Sequence, residues 1–543
     1  MNRISYHMAH QNPLKLLKRI ITSASLLLAA SSLISRGLGL IRDRLLTHSF
    51  GATRAEGGIS ELDAYYAAFQ LPDLLYQILI LGTISACFVP FFIDAYKKDE
   101  KAAWKLANNT MTSILLLMII LVIGSFIFSK QILGLFTVGL PTDAQKLALT
   151  LTHIMLLSPL FFSFSAITGA ISHSLKRFVA FAIAPIIYNL SIIAGILFLT
   201  PYYGIHGVSI GVVIGALLHA CVQFYSALKG GFRPQFFLDW ENKDFLQMVR
   251  SALPRILSLA VSRINIVVDT ALASLLMAGS ITILNLAQNM QSLPMGVVGV
   301  SIAVASFPIF ADLASEKNQQ KLHELLCKKT RKIIYVLLPL TIITILLRTE
   351  IVRLLFGSGR FNWVDTITTG DTLGLFAISF IAQSLLPVLT RIFYAFKNTV
   401  SPLYISFISI IVNVVFSVMF IFLIKGEVEY LGLSFTIASF VQLCLMLYHM
   451  NKKYQLTIFE PHDTVFYVKT LFATIVMGII AQATKVSSGL LFDPLDTFVK
   501  VLGKVSLVVA ISLVVYLLVQ AFLKNSANKV LLADYKQVQS SER

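Results

Sequence analysis

The sequence predicts an all-α polytopic membrane protein of about fourteen transmembrane helices in two repeated halves. Three observations lead there. The 543 residues are 56% hydrophobic and only 13% charged, with a mean hydropathy of +0.79, whereas a soluble protein carries roughly 25% charged residues. Apolar runs recur at the length of about 20 residues that a helix needs to cross a bilayer. Runs such as "ILLLMIILVIG" do not alternate as barrel strands do, and the chain contains a long-range copy of itself.

In chain order the expected spans are 20–44, 63–95, 105–129, 147–172, 178–200, 205–228, 251–277, 280–313, 333–356, 366–390, 401–424, 430–451, 465–485 and 500–523. The first follows basic residues, as a signal peptide would. It is too long for one and lacks a small-residue cleavage site, so it reads as a retained helix. Lys and Arg residues set the orientation. With the N-terminus inside, inner loops and tails hold 28 of the 44, outer segments hold 11, and five lie within or beside spans. Both termini are therefore expected to be cytoplasmic. The net charge of +17 is then a topology signal rather than a nucleic-acid footprint. The expected divisions are a cytoplasmic segment 1–19, an N-lobe 20–228, a cytoplasmic linker 229–250, a C-lobe 251–451, C-terminal helices 452–523 and a cytoplasmic tail 524–543. Cys87, Cys221, Cys327 and Cys444 are far apart with no CxxC pair, which indicates neither a zinc site nor a disulfide framework.

The repeat rests on polar positions. "GTISACFVPFFIDAYKKDEK" (82–101) resembles "VSIAVASFPIFADLASEKNQ" (300–319), with Pro90 and Asp94 each 218 residues before Pro308 and Asp312. Gln70 and Gln288 pair at the same offset. "SRGLGLIRD" resembles "SRINIVVD", placing Arg36 opposite Arg263 and Asp43 opposite Asp269 at offsets of 227 and 226. Six spans separate the copies, so both halves run in the same direction. Parallel repeats of this kind are a transporter layout with the site at the repeat interface.

Charges inside spans are the candidate site, because an ionisable residue at mid-bilayer costs roughly 2.5–3.5 kcal/mol. Positions seven apart on a helix lie within about 20° of each other, so Arg36 shares a face with Asp43, and Ser35 with Arg42. Gly37 and Gly39 lie between, where a helix can bend. Arginine's planar fork suits a phosphate-bearing ligand; the alternative is that it snorkels to headgroups. Arg263 and Asp269, in the seventh span, read either as an internal pair or as ligand contacts. Asp63 and Asp73 flank Gln70 in the second span, and Asp63 reads equally as a helix-start residue. Asn413 lacks a local partner and suits an interhelical hydrogen bond or an ion. No GxxxxGK[ST] or HExxH occurs, so transport must draw on a gradient or potential.

At "SRGLGLIRD…LDAYYAAFQLPDLL…FVPFF", "SLPMGVVGVSIAVASFPIF" and "FGSGRF" the chain resembles the MurJ/MviN family of lipid II flippases, within the multidrug/oligosaccharidyl-lipid/polysaccharide exporter superfamily. The resemblance implies a monomeric fourteen-helix protein of the bacterial inner membrane. Its two pseudo-symmetric six-helix lobes would enclose a cationic cavity with alternating access, and two C-terminal helices would form a groove for a polyprenyl tail. The implied cargo is a disaccharide-pentapeptide on undecaprenyl pyrophosphate. The substrate residues it implies, taken with the charges above, are Arg36, Arg42, Asp43, Asp63, Gln70, Asp73, Arg263 and Asn289. Asp269, Asn413 and Thr436 fall where some members bind sodium, the one coupling ion implied. The chain departs from the family at Tyr76 and Gln77, where basic residues are usual, at Leu81 in place of an acid, at Asn289 in place of an arginine and at Ser292 in place of an acid. These changes predict a less cationic cavity. Another lipid-linked glycan or a small molecule is the alternative cargo. An integral-membrane glycosyltransferase and a non-transporting scaffold are readings of a different class.

Overall fold

The computed structural model describes residues 24–52, 59–77, 87–460 and 463–524, without the side chains at 24–26, 29, 254–255 and 257–262. The segment 1–19, Leu81 and nearly all of the tail lie outside that set. The chain divides into two compact units, one formed by residues 1–50 and 56–263, the other by 51–55 and 264–543. No strand occurs among the described residues. Nine described helices are long and apolar enough to cross a membrane, and two bent pairs raise this to eleven. The other three expected spans, 20–44, 63–95 and 251–277, overlap residues or side chains outside the described set.

The first unit contains α1 (Ala24–Phe50), α2 (Glu61–Tyr76), α3 (Val89–Lys98), α4 (Glu100–Ile127), α5 (Ser129–Phe136), α6 (Thr142–Met155), α7 (Ser158–Ser174), α8 (Phe178–Ala194) and α9 (Ile205–Lys229). It ends within α10 (Lys243–Ser274). Helix α2 starts where Ser60 Oγ accepts the Asp63 N–H at 3.1 Å, with Glu61 and Asp63 in the first turn, as N-cap chemistry and the helix dipole favour. The core gathers Phe88, Phe92, Leu106, Met111, Ile167, Ile171 and Phe232. Asn108 and Asn109 on α4 bind the following linker like a strand edge. Their amides accept from Gln235 and Asp239 N–H, each at 2.8 Å, and donate to the Arg233 and Asp239 carbonyls.

Helices α8 and α9 approach closely because α9 presents Gly207, Gly211 and Gly215 at four-residue spacing, the small-residue stripe that lets membrane helices meet. A Cβ at Gly207 would lie 2.6 Å from the Leu199 carbonyl carbon, one at Gly211 3.1 Å from Gly195 Cα, and one at Gly215 2.9 Å from Tyr188 Cδ2. The stripe thereby fixes the height and rotation of Tyr188 and its neighbour Asn189.

The second unit continues with α11 (Ser280–Pro294), α12 (Ser301–Ser315), α13 (Gln319–Leu346), α14 (Arg348–Phe356), α15 (Trp363–Ala377), α16 (Phe380–Ala395), α17 (Val400–Phe422), α18 (Glu429–Tyr454), α19 (Asp463–Phe492) and α20 (Phe498–Phe522). Its core packs Phe310, Leu322, Leu326, Leu389, Phe393, Met446 and Met450. Helices α13 and α14 form one span bent by 78°, α15 and α16 another bent by 45°. The start of α15 is a capping box: Asn362 Oδ1 accepts from Asp365 N at 2.8 Å while Asp365 Oδ2 accepts from Asn362 N at 3.1 Å.

The repeat reappears in local geometry. Gln77 enters a π-helical turn, and the π-helical segment Met295–Val300 opens 218 residues later. Helices α7 and α16 end alike, each with a left-handed lysine, Lys176 and Lys397, both at φ 58°. Behind them Arg177 N–H donates to Ser172 O at 2.8 Å and Asn398 N–H to Phe393 O at 2.9 Å, the longer bond of the Schellman cap.

The last two helices attach through Tyr516, whose hydroxyl donates to Tyr335 O at 2.8 Å, and through a buried ionic cluster. Lys485 Nζ lies 3.0 Å from Glu350 Oε1 and donates to Leu346 O at 2.6 Å. Lys504, 5% exposed, pairs with Asp493 at 2.9 Å and lies 4.0 Å from Glu350. Two predictions follow from this packing. Gly211→Leu forces side-chain atoms into the α8 backbone, so the purified protein should melt earlier, by the roughly 1–3 kcal/mol or more that overpacking costs. Glu350→Gln removes an anion from the partly buried Lys485 and from the buried Lys504, which keeps Asp493. It should cost less than the roughly 3–5 kcal/mol of a fully buried pair broken outright, visible as a lowered Tm in detergent.

Candidate functional site

In the first unit α1 runs unbroken through Gly37 and Gly39. Ser35 and Arg42, expected on one face, meet the same side chain, Asn189 of α8. The Asn189 amide donates to Ser35 Oγ at 3.1 Å and to Pro185 O at 3.1 Å, and its oxygen accepts from Arg42 Nη1 at 3.3 Å. Arg42 Nε and Nη2 both donate to Asp43 Oδ1, at 3.0 and 2.7 Å. Asp43 is 2% exposed and the Arg42 side chain 23%. Gly39 lies under the amide: a Cβ there would stand 4.0 Å from Asn189 Oδ1. Tyr65, Tyr66 and Tyr188 are close enough to interact electrostatically with Arg42. The guanidinium is thus neutralised by Asp43 and oriented by a neutral amide. Part of it stays open, and two of its five N–H donors are not engaged by these bonds.

Arg36 is exposed and has no ion pair or hydrogen bond among the described residues. It lies six positions before Arg42, about 9 Å along the axis. Asp63 is buried in the first turn of α2, its N–H capped by Ser60, so it serves the helix start as well as any site. Gln70 is half-buried. Asp73 Oδ2 accepts from Gln77 Nε2 at 2.6 Å, and Arg263 Nη1 lies 3.8 Å from that same oxygen. Arg263 therefore faces Asp73 on the second span rather than Asp269 on its own helix. Gln77 serves that same carboxylate. Asn289 is exposed on α11, and its carbonyl accepts from Ser292 Oγ at 2.7 Å.

The second unit repeats the arrangement with different chemistry. Asn413 on α17 stands 224 residues after Asn189, in "IIVN" against "IIYN". Its amide donates to Asp269 Oδ1 at 2.9 Å and to Asn265 Oδ1 at 2.8 Å, and Asn265 donates to Asp269 Oδ2 at 3.1 Å. Asn265 occupies the register of Gly39, so its side chain fills what the first half leaves open. Asp269 and Asn413 are 2% and 1% exposed. No cation is bonded to Asp269 among the described residues, and Asn413 Oδ1 has no hydrogen-bond partner. Thr436, 3% exposed, donates to Leu375 O at 2.7 Å, which leaves its oxygen lone pairs as acceptors. Ser417, one turn beyond Asn413, is bonded to Ser434 at 2.7 Å.

Neither Asn189 nor Asn265 was singled out from sequence. The signal was present in the paired Ile-Ile-x-Asn stretches of the two halves. An apolar groove of about 450 Å³ lies between α13 and α19, lined by Leu338, Ile342, Leu471, Ile475, Gly478 and Gln482 among others.

The chain matches known proteins over most of its length. Residues 46–503 match the family model described as lipid II flippase MurJ. The "Probable lipid II flippase MurJ" of Buchnera aphidicola subsp. Acyrthosiphon pisum is 29% identical over 483 residues, 86% of this chain and 90% of that one. The protein of the same name from Rickettsia prowazekii is 26% identical, over 85% and 90% of the two chains. A solved structure titled "Lipid II flippase MurJ, inward closed conformation" superposes with a TM-score of 0.76 at 26% identity, covering 92% of this chain and 98% of that one. An inward-facing multidrug MATE transporter, at 14% identity and a TM-score of 0.64, shares the fold. With a matched region this long, the chain belongs to the MurJ family of lipid II flippases.

Proposed function

We propose that this protein translocates lipid II from the inner to the outer leaflet of the bacterial cytoplasmic membrane by alternating access, as a monomer with both termini cytoplasmic. The observation that carries the reading is the Arg42–Asp43–Asn189 network on the first helix, with an unpaired Arg36 beside it. A greasy tail can stay in lipid while its pyrophosphate and sugars cross in a wet chamber, and the chamber needs positive charge that a ligand can take up. Arg36 offers its charge outright. Arg42 offers two free N–H groups, and gains the rest only as the ligand displaces Asp43. The Arg263–Asp73 pair adds a second neutralised cation of this kind, so the site binds a di-anion while holding little net charge when empty. Asp63 and Gln70 supply polar contacts for the headgroup, and Asn289 is a separate candidate contact on the second unit. The apolar groove between α13 and α19 suits the polyprenyl chain.

Sodium is the coupling ion this reading favours. The residues of this chain fit one: a buried carboxylate without a bonded cation, an amide oxygen without a donor, and a threonine with free lone pairs are hard oxygen ligands. Asp269 and Asn413 would hold it, with Thr436 contributing on closure. The ion would supply the positive charge that Arg42 provides in the other half.

Two experiments test the proposal. In proteoliposomes with fluorescent lipid II, Arg36→Ala and Arg42→Ala should each reduce flipping to the protein-free rate. Arg42→Ala takes an ion-pair partner from the buried Asp43, which destabilises the protein. The pair Arg42→Ala/Asp43→Asn should therefore regain stability without regaining transport; undiminished flipping by that pair removes the role. Sodium, against choline, should raise the melting temperature of the wild-type protein, and Asp269→Asn should abolish the increment. An equal increment in that variant would place the ion elsewhere.

A further inference from the structure

A second group of ligand-type side chains stands apart from the transport residues, at the basic end of α13. His323 and Cys327 are one turn apart on the same face. Glu460, in the linker between α18 and α19, meets them, and ligand atoms of all three lie within 4.8 Å of one another. The His323 ring nitrogen Nε2 is 3.5 Å from Cys327 Sγ and 2.9 Å from Thr457 Oγ1. Nδ1 is 3.5 Å from Glu460 Oε1. Cys327 Sγ is 3.6 Å from Thr457 O. Cys327 is fully buried, whereas the His323 and Glu460 side chains keep 28% and 19% of their surface. One side of the cluster is therefore open to solvent.

One nitrogen of His323, the Cys327 sulfur and one Glu460 oxygen are within reach of a common ion. Thr457 Oγ1 gives its proton to Phe459 O at 2.9 Å and so accepts from Nε2, a bond that an ion on Nε2 would displace, while Glu460 meets Nδ1. Two of the spacings equal edges of a metal tetrahedron. Zinc bonds of about 2.3 Å to sulfur, 2.0 Å to nitrogen and 2.1 Å to oxygen, at tetrahedral angles, put S and N about 3.5 Å apart and S and O about 3.6 Å apart. The Cys327–His323 and Cys327–Thr457 separations have those lengths before any ion enters. The neighbouring cation Arg331 is engaged by Asp463 at 2.9 Å, so it does not occupy the cluster. An incoming divalent ion displaces the thiol proton to solvent as the metal–sulfur bond forms.

We propose that His323, Cys327 and Glu460 form a binding site for a thiophilic divalent metal of the zinc class, with the Thr457 carbonyl or a water completing four-coordination. The metal clips the α18–α19 linker to α13, so it secures the attachment of the C-terminal helices at their basic end, opposite in chain position to the Glu350 cluster. The site is structural and takes no part in holding the lipid headgroup.

Cobalt(II) is the probe, added to full-length protein purified in detergent and stripped with chelator. One equivalent should give visible d–d bands and a near-ultraviolet sulfur-to-cobalt band, and zinc should bleach both. Cys327→Ser should lose the sulfur band. His323→Ala should weaken binding by more than the roughly 10- to 100-fold that losing an outer-shell partner costs. A variant with Cys87, Cys221 and Cys444 all changed to serine should keep the full spectrum. Gel filtration and lipid II flipping by Cys327→Ser, both expected to be unchanged, separate loss of the site from loss of the fold. Absence of a stoichiometric sulfur band in the wild type, or its persistence in Cys327→Ser, overturns the assignment.

Discussion

Each half of this protein depends on one asparagine laid across its first helix. Asn189 ties α8 to Ser35 and Arg42 in the first unit, and Asn413 ties α17 to Asn265 and Asp269 in the second. An amide donates and accepts at once, so it can join two helices in hydrocarbon without bringing a charge. Around that fixed joint the protein places a buried carboxylate, Asp43 or Asp269. The close contact of α8 with the glycine stripe of α9 exists to hold the first of these amides in place.

From the common joint the halves diverge by a few residues. Where the first half has Gly39 and Arg42, the second has Asn265 at the glycine register and no arginine bonded to its carboxylate. The first carboxylate is thereby paired within the protein, while the second has only amide donors among the described residues. The two copies share one geometry, and substitution at two or three positions leaves one carboxylate paired with an arginine and the other held by amides. A buried carboxylate bonded only by neutral groups is costly, which is the physical pressure toward an ion at Asp269.

The all-helical fold and its repeat were legible in the sequence because bilayer length and the Pro-x-x-x-Asp spacing are backbone-scale constraints that survive sequence drift. Part of the site was legible too. Helical periodicity placed Ser35 with Arg42, and both do meet one partner. The choice of partner was not legible, since it depends on which neighbouring helix faces α1 and at what height. Asn189 is an unremarkable polar residue in an apolar run until α9 fixes its position. The same limit applies to Arg263. Its own helix offers Asp269 six residues on, about 120° round the helix, and Asp73 takes the pair instead. Cys327, set aside on spacing alone, gained ligand-type neighbours only when the α18–α19 linker returned to α13.

The wide turns entered at Gln77 and at Met295 bear on how such spans move. Bending an ordinary helix in lipid exposes peptide groups to hydrocarbon, whereas a π turn already carries a shifted register of main-chain bonding. A helix that holds such a turn, as Met295–Val300 does, can flex by letting that register creep along it without unzipping.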